Sequence, residues 1–295
     1  MSEVWGVLAA MFSSALGGSS IGATRYLAHI ADPIAIGSFR FGVGFVLLLP
    51  VAISREGNWP SLRDLPAVAA LGLLFFAVFP GLFNASLMFT TAARGALALS
   101  TLPLMTMLIG AALGIERLTL RKTTGVLIAT TGLATALVSG LQNAPSGAWK
   151  GDLLMACAAL CMAFYSIWSR PYIQRSGAIR FTTVAMGVGA IFLICAGCLN
   201  GSFAPVADFT TPQWFAIVYL GAFGSALTFY LWAFALERTT PTRVAVSIAV
   251  NPISASLIGA TLLHEPLGWN LALGTIAVFA GICIATRGTG KSALQ

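Results

Sequence analysis

The side chains of this 295-residue chain that could engage another molecule are few, and most are embedded in apolar runs. Ser13, Ser20, Asn84 and Asn251 carry hydrogen-bonding groups there, and Phe79, Phe83, Tyr165, Trp168 and Tyr230 add aromatic rings, three of them with polar tips. An unpaired polar group in an apolar medium is costly, so each must meet a neighbouring helix or a watered cavity. Serines beside Gly17 and Gly18 fit close helix packing one at a time, because small residues let backbones approach, and as a group they offer hydroxyls to a ligand. The amides of Asn84 and Asn251 are too large for a plain backbone contact and are candidates to face a cavity. Trp168, like Trp232, stands near a span end, where anchoring in the headgroup layer also fits. Pro103 and Pro252 each remove a helical hydrogen bond and loosen the turn before them, which suits a hinge or gate as well as a static kink. The chemistry this set supports is reversible binding of a small amphipathic substrate.

Bond-making chemistry finds no equipment in the sequence. There is no phosphate-binding Gly-rich loop, no H-E-x-x-H zinc motif and no G-x-S-x-G nucleophile turn, so neither a catalytic residue, a metal nor a cofactor is expected. Cys195 and Cys198 form C-x-x-C on an apolar run and read as small hydrophobes. No Asp or Glu falls at mid-span, and His29 and His264 fall near span ends, which argues against a proton relay. Arg40 lies inside a span, about 10 Å from its start at about 1.5 Å per residue. It could attract a carboxylate; snorkelling to the outer interface or bonding helix-end carbonyls fits it better.

The elements that must position these residues follow from composition. Hydrophobic residues make up 58% of the chain and charged ones 8%, against roughly 25% charged in a soluble domain. Apolar stretches recur at about 20 residues, the length of a membrane-crossing helix. Ten spans are predicted, at 4–28, 33–53, 65–89, 92–115, 122–140, 149–171, 180–199, 212–236, 241–263 and 266–286. The first is expected to be retained, since Glu3 replaces the basic segment of a signal peptide. Trp5, Trp59, Trp149, Trp214 and Trp269 fall at span ends and suit interfacial anchoring.

The net charge of +7 is a topology signal, not a nucleic-acid one. Twelve basic residues fall on the N-terminal side of the predicted membrane, namely Arg55, Arg63, Arg117, Arg121, Lys122, Arg170, Arg175, Arg180, Arg238, Arg243, Arg287 and Lys291. Arg25, Arg94 and Lys150 fall on the other side, so both termini are expected in the cytoplasm of a cell with an inner membrane.

At an offset of 149 residues the second half repeats the first: Arg94/Arg243, Pro103/Pro252, Gly110/Gly259, Glu116/Glu265, Gly125/Gly274 and Gly132/Gly281, with Gly72/Gly221 further back. At an offset of 145, Gly6/Gly151, Leu8/Leu153 and Arg25/Arg170 align spans 1 and 6. Residues 1–140 and 141–295 are therefore read as two five-helix units, and the odd number of spans in the first makes the second inverted. Glu116 and Glu265, each opening a span, suit helix N-terminal caps in the framework.

Ten spans in two inverted halves, each with a proline on its fourth helix and a Glu-x8-Gly-x6-Gly run on the next, resemble the drug/metabolite transporter superfamily. More narrowly the chain is similar to EamA-type exporters, and Arg40-Phe41 with the first three spans resembles the YddG-like amino-acid exporters. That resemblance implies an all-α basket around a central cavity, with spans 1, 3, 4, 6, 8 and 9 lining it and spans 5 and 10 at the side. It implies export of amino acids and assorted metabolites, with aromatic amino acids favoured in the YddG-like branch, and the function expected is export of amino acids or similar small amphipathic metabolites by alternating access. A drug or nucleotide-sugar exporter of the same superfamily is the neighbouring alternative, and a membrane scaffold or receptor the non-transport one. The lipid bilayer and a small-molecule substrate are the expected partners, and the sequence does not define an oligomeric state.

Overall fold

The computed structural model describes residues 2–115, 119–139, 145–264 and 269–286. Among these residues there is helix and no strand. Eight helical segments are long and apolar enough to cross a membrane: α1 (Ser2–Leu27), α2 (Pro33–Ser54), α3 (Leu65–Ser86), α4 (Ala92–Ala112), α6 (Ala148–Ser176), α7 (Ala178–Asn200), α8 (Thr211–Arg238) and α9 (Pro241–Leu262). The two other predicted spans are helices as well, α5 (Leu120–Ser139) and α10 (Trp269–Thr286), packed side by side with Gly132 against Ala277. Both are shorter than the eight, at 20 and 18 residues, and five threonines with Arg121 and Lys122 dilute the apolarity of α5. Glu116 and Glu265, read above as caps, lie outside the described residues, as do Arg117, Arg287 and Lys291.

Pro171 does not stop α6, which continues to Ser176. Only Gly177 separates it from α7. That glycine ends one helix and starts the next, its N–H on the Ile173 carbonyl at 2.8 Å and its own carbonyl accepting from Phe181 at 3.2 Å. Its φ of 77° with ψ of 152° is a conformation only glycine adopts without strain.

The 149-residue offset reappears in how the helices are interrupted. Both α3 and α8 widen to π-helix, at Leu74–Val78 and Ala222–Leu227. Helix α4 breaks at Ser100 and Thr101 and restarts on Leu102, whereas α9 tightens to 3-10 helix over Ser247–Val250 and restarts on Asn251. Pro103 and Pro252 each sit in the first turn of the restarted helix, where the missing N–H costs least. The starts match too, with Thr91 and Thr240 each accepting a hydrogen bond from the N–H of Arg94 and Arg243.

Contacts fix how the helices run. Gly6 lies against the Ala235 carbonyl and Thr239, Ser13 donates to the Thr228 carbonyl at 2.8 Å, and Ser19 bonds Tyr219, so α1 and α8 are antiparallel. Gly151 against the Ser86 carbonyl and Thr90, with Tyr165 stacked on Phe75, makes α3 and α6 antiparallel in the same manner. Trp232 on Ser166 and Arg170 on Leu236 set α6 parallel to α8 and hence opposite to α1.

Helices α1 and α9 approach each other closely. A Cβ on Gly18 would stand 2.5 Å from the Asn251 carbonyl oxygen and 2.8 Å from Ser254 Cβ, a clash with backbone that no rotamer relieves. Gly18→Val is accordingly expected to lower stability by about 1–3 kcal/mol. Thermal unfolding of the detergent-purified protein measures this, and an unchanged midpoint would show that the two helices have room to part.

Candidate functional site

Where α1, α3, α8 and α9 converge, with α2, α4 and α6 contributing one side chain each, they enclose a chamber lined by Ser13, Ser14, Gly17, Arg40, Phe79, Phe83, Leu99, Met162, Thr228, Phe229, Trp232, Ile248 and Asn251. Its walls come from the interruptions just described. The π-segment of α3 precedes Phe79 and that of α8 precedes Thr228, while the break in α9 presents Asn251 at the start of a helix. Repeat-related positions face the same space, Phe79 with Thr228, Phe83 with Trp232 and Leu99 with Ile248 at the 149-residue offset, and Gly17 with Met162 at 145.

Arg40 is the chamber's one charge. It is 3% exposed, and Nη2 donates to the Gly224 carbonyl at 2.6 Å and Nε to Ser225 Oγ at 3.1 Å. Both partners belong to the π-segment of α8, where the register is interrupted. The guanidinium also lies over the rings of Phe41, Phe83 and Phe229 at 5.4, 5.8 and 5.8 Å. Dipoles and ring faces satisfy donors without cancelling the charge. Among the described residues no carboxylate pairs with it. Arg40 thus stays inside instead of snorkelling outward, because its partners are interior.

The aromatic wall is backed by a second layer in which Phe75 stacks on Tyr165 at 3.9 Å and meets Phe229 edge-on at 5.1 Å. Polar points are sparse. Ser14 and Ser247 bond each other at 2.8 Å, and Asn251 Oδ1 is buried without a hydrogen-bond partner. The open space amounts to about 30 Å³, too little for any amino acid, so the lining is closed upon itself.

Of the residues singled out in the sequence, Ser13, Phe79, Phe83 and Asn251 meet at this chamber. The others stand elsewhere. Ser20 turns back to the Leu16 carbonyl, Asn84 Nδ2 donates to the Pro33 carbonyl at 2.9 Å, and Tyr165 sits in the backing layer. Trp168 is 44% exposed and stacked on Phe164, whereas Tyr230 packs at the core's edge and Pro103 and Pro252 are buried in the α4 and α9 walls. Sequence reasoning passed over Arg40 and Trp232 as lining residues. A signal existed for Trp232, which is the repeat mate of Phe83.

The asparagines allow a direct comparison. Asn84→Ala is expected to lower stability by about 1 kcal/mol through the lost bond to Pro33, with substrate affinity unchanged. Asn84 Oδ1 is likewise buried without a partner, but only Asn251 lines the chamber, and Asn251→Ala is expected to leave the unfolding midpoint in place and raise the KM for transport roughly tenfold. Equal effects on KM in the two variants would remove Asn251 from the site.

Apart from the chamber, ionic groups sit at helix ends. Arg94 grips Asp152 with Nη2 at 2.5 Å and Nε at 3.1 Å, tying the start of α4 to the start of α6. His29, between α1 and α2, is held below its ordinary pKa first by burial and then by the Arg25 charge. No group of His, Cys, Asp or Glu among the described residues is arranged to hold a metal ion.

Membrane-length apolar helices around a buried, sparsely polar chamber define the class as a multi-pass helical membrane protein. The chain belongs to the EamA-like transporter family, whose sequence model matches residues 4–138 and 149–287. An uncharacterized transporter of Archaeoglobus fulgidus is 26% identical over 276 residues, covering 92% of this chain and 94% of its own. Uncharacterized transporter YyaM of Bacillus subtilis is 22% identical, covering 91% and 89%. A probable terminal-alkyne amino-acid exporter of Streptantibioticus cattleyicolor is 26% identical over 245 residues, covering 81% and 78%. A crystal structure at 19% identity shares the fold with a TM-score of 0.70, covering 94% of this chain and 95% of the other.

Proposed function

We propose that the protein exports amino acids, aromatic ones included, or similar small amphipathic metabolites, by alternating access. The observation that carries this is Arg40: a buried cation with no counter-ion among the described residues, in a chamber with a largely aromatic and apolar wall. A guanidinium in the membrane interior is costly, and a carboxylate brought in by the substrate relieves that cost through charge-assisted, bidentate bonds. Phe79, Phe83, Phe229 and Trp232 then meet the side chain, and Asn251 Oδ1 accepts from the ammonium group. The likeness to a probable amino-acid exporter supports the same reading. The drug or nucleotide-sugar alternative is less well served, since phosphates call for more cations than one.

Ten spans in two inverted units, 1–140 and 141–295, with both termini in the cytoplasm at the inner membrane, complete the proposal. The opposed runs of α1 and α6 support the inversion. Clustering supports the orientation: Arg175 pairs with Asp64 and Arg180 bonds the Arg55 carbonyl, bringing arginines together at one end. Tight proton coupling is not part of the reading, because the partly buried carboxylate Asp152 is already engaged by Arg94 at a helix start.

Purified protein in liposomes, assayed for amino-acid efflux with and without a pH gradient, tests both parts. Saturable flux of an amino acid that is indifferent to the gradient is expected. No flux of any amino acid would overturn the substrate class, and flux driven uphill by the gradient would overturn the uncoupled mechanism.

A further inference from the structure

We infer that Arg25 and Arg170 are the two gate latches of the carrier, one at each end of the chamber. Arg25 on α1 donates from Nη1 to the Leu87 carbonyl at 2.5 Å, beyond the end of α3. Arg170 on α6 donates from Nε to the Leu236 carbonyl at 3.3 Å, in the last turn of α8. The arginines are related by the 145-residue offset and the carbonyls by the 149-residue offset. The two bonds are therefore the same bond made once in each half.

Their placement relative to the chamber is also the same. From Gly17 to Arg25 along α1, and from Met162 to Arg170 along α6, the rise is about 12 Å. From Phe83 to Leu87, and from Trp232 to Leu236, it is about 6 Å. Because α1 and α6 run in opposite directions, the two bonds stand on opposite sides of the chamber, each holding together two helices that line it.

A second observation marks both places. Thr24, beside Arg25, and Thr90, one turn past Leu87, have buried hydroxyl oxygens with no hydrogen-bond partner. Their repeat mates Ser169, beside Arg170, and Thr239, one turn past Leu236, are in the same state. Buried polar atoms left unsatisfied are rare in a settled interior, and half of the eight found among the described residues fall at these two places. Four of them in two matching pairs suit surfaces that part and become hydrated in another state. With both bonds made, the helices that line the chamber are tied to each other at both ends, in keeping with its small open volume.

This rests on the alternating-access reading and is independent of which substrate is carried. The test uses the full-length protein with its native cysteines replaced and Ser14→Cys placed in the chamber wall, labelled by a membrane-impermeant maleimide in right-side-out and inside-out vesicles. Arg25→Gln is expected to raise labelling from the face on which α1 ends by about tenfold or more, and Arg170→Gln to do the same from the opposite face, as loss of the charge-assisted bond between the two helices implies. Lys at either position, a cation without the fork, should give a smaller shift of the same sign. It serves as the comparison if a Gln variant does not reach the membrane.

Shifts toward the same face in both variants, or none in either, would overturn the latch assignment. A parent protein labelled from neither face would overturn alternating access itself. Absence of amino-acid flux with the opposed shifts intact would count against the substrate reading alone.

Discussion

Arg40→Met is expected to reduce amino-acid transport by about 100-fold or more while leaving the protein at least as stable as before. The opposite signs follow from one cause. Holding a guanidinium in the chamber opposes folding, and Gly224, Ser225 and three ring faces offset that only in part. Methionine fills comparable space without the charge, so the folded state loses a burden and the substrate carboxylate loses its anchor. Arg40→Lys should recover some transport, because it keeps the charge but not the planar fork that reaches two acceptors. Flux in liposomes and unfolding midpoints of the same preparations measure both quantities. Full transport with Met at this position would show that the carboxylate is bound elsewhere.

The pair Arg94 and Asp152 should behave in the reverse way. Their side chains are 4% and 15% exposed, and either residue left alone is a charge with no partner in a poorly solvated place. Arg94→Met or Asp152→Leu is expected to cost about 3 kcal/mol of stability, and the double variant to recover most of it. The thermal midpoints of the four proteins form a double-mutant cycle. Losses that simply add in the double variant would mean that the two side chains do not depend on each other.

Which of these residues could be read in advance depends on where their partners come from. Spans and their interruptions were legible because they are local: apolar length marks α1 to α4 and α6 to α9, and prolines at 80, 103 and 252 stand just after three of the breaks. The spacing of Gly17 and Gly18 announced a close helix contact, and Gly18 makes one with α9. Partners were not legible. Depth alone made Arg40 an interfacial cation, because nothing in the residues near it reveals a carbonyl exposed 184 positions later by a π-turn. Asn84 and Asn251 looked alike on the same grounds, both mid-span amides, and only tertiary packing separates one bonded to Pro33 from one facing the chamber. Trp232 was placed by its distance from a helix end, yet this position faces inward, 2% exposed, with its indole N–H on Ser166. The diluted apolarity of α5 illustrates the converse: threonines can return their hydroxyls to the preceding turn, as Thr131 and Thr135 do, so the segment is less polar than its composition.

The single-residue joint at Gly177 bears on how the protein is made. With no slack between α6 and α7, neither helix can be released into the bilayer while the other waits in the aqueous channel of the insertion machinery. Arg175 and Arg180 straddle the joint, one within each helix end, and tie it to Asp64 and to the Arg55 carbonyl. The two helices must therefore be delivered as one hairpin, and a side chain at 177 that resists φ of 77° would register first as lost biosynthetic yield, upstream of any effect on transport.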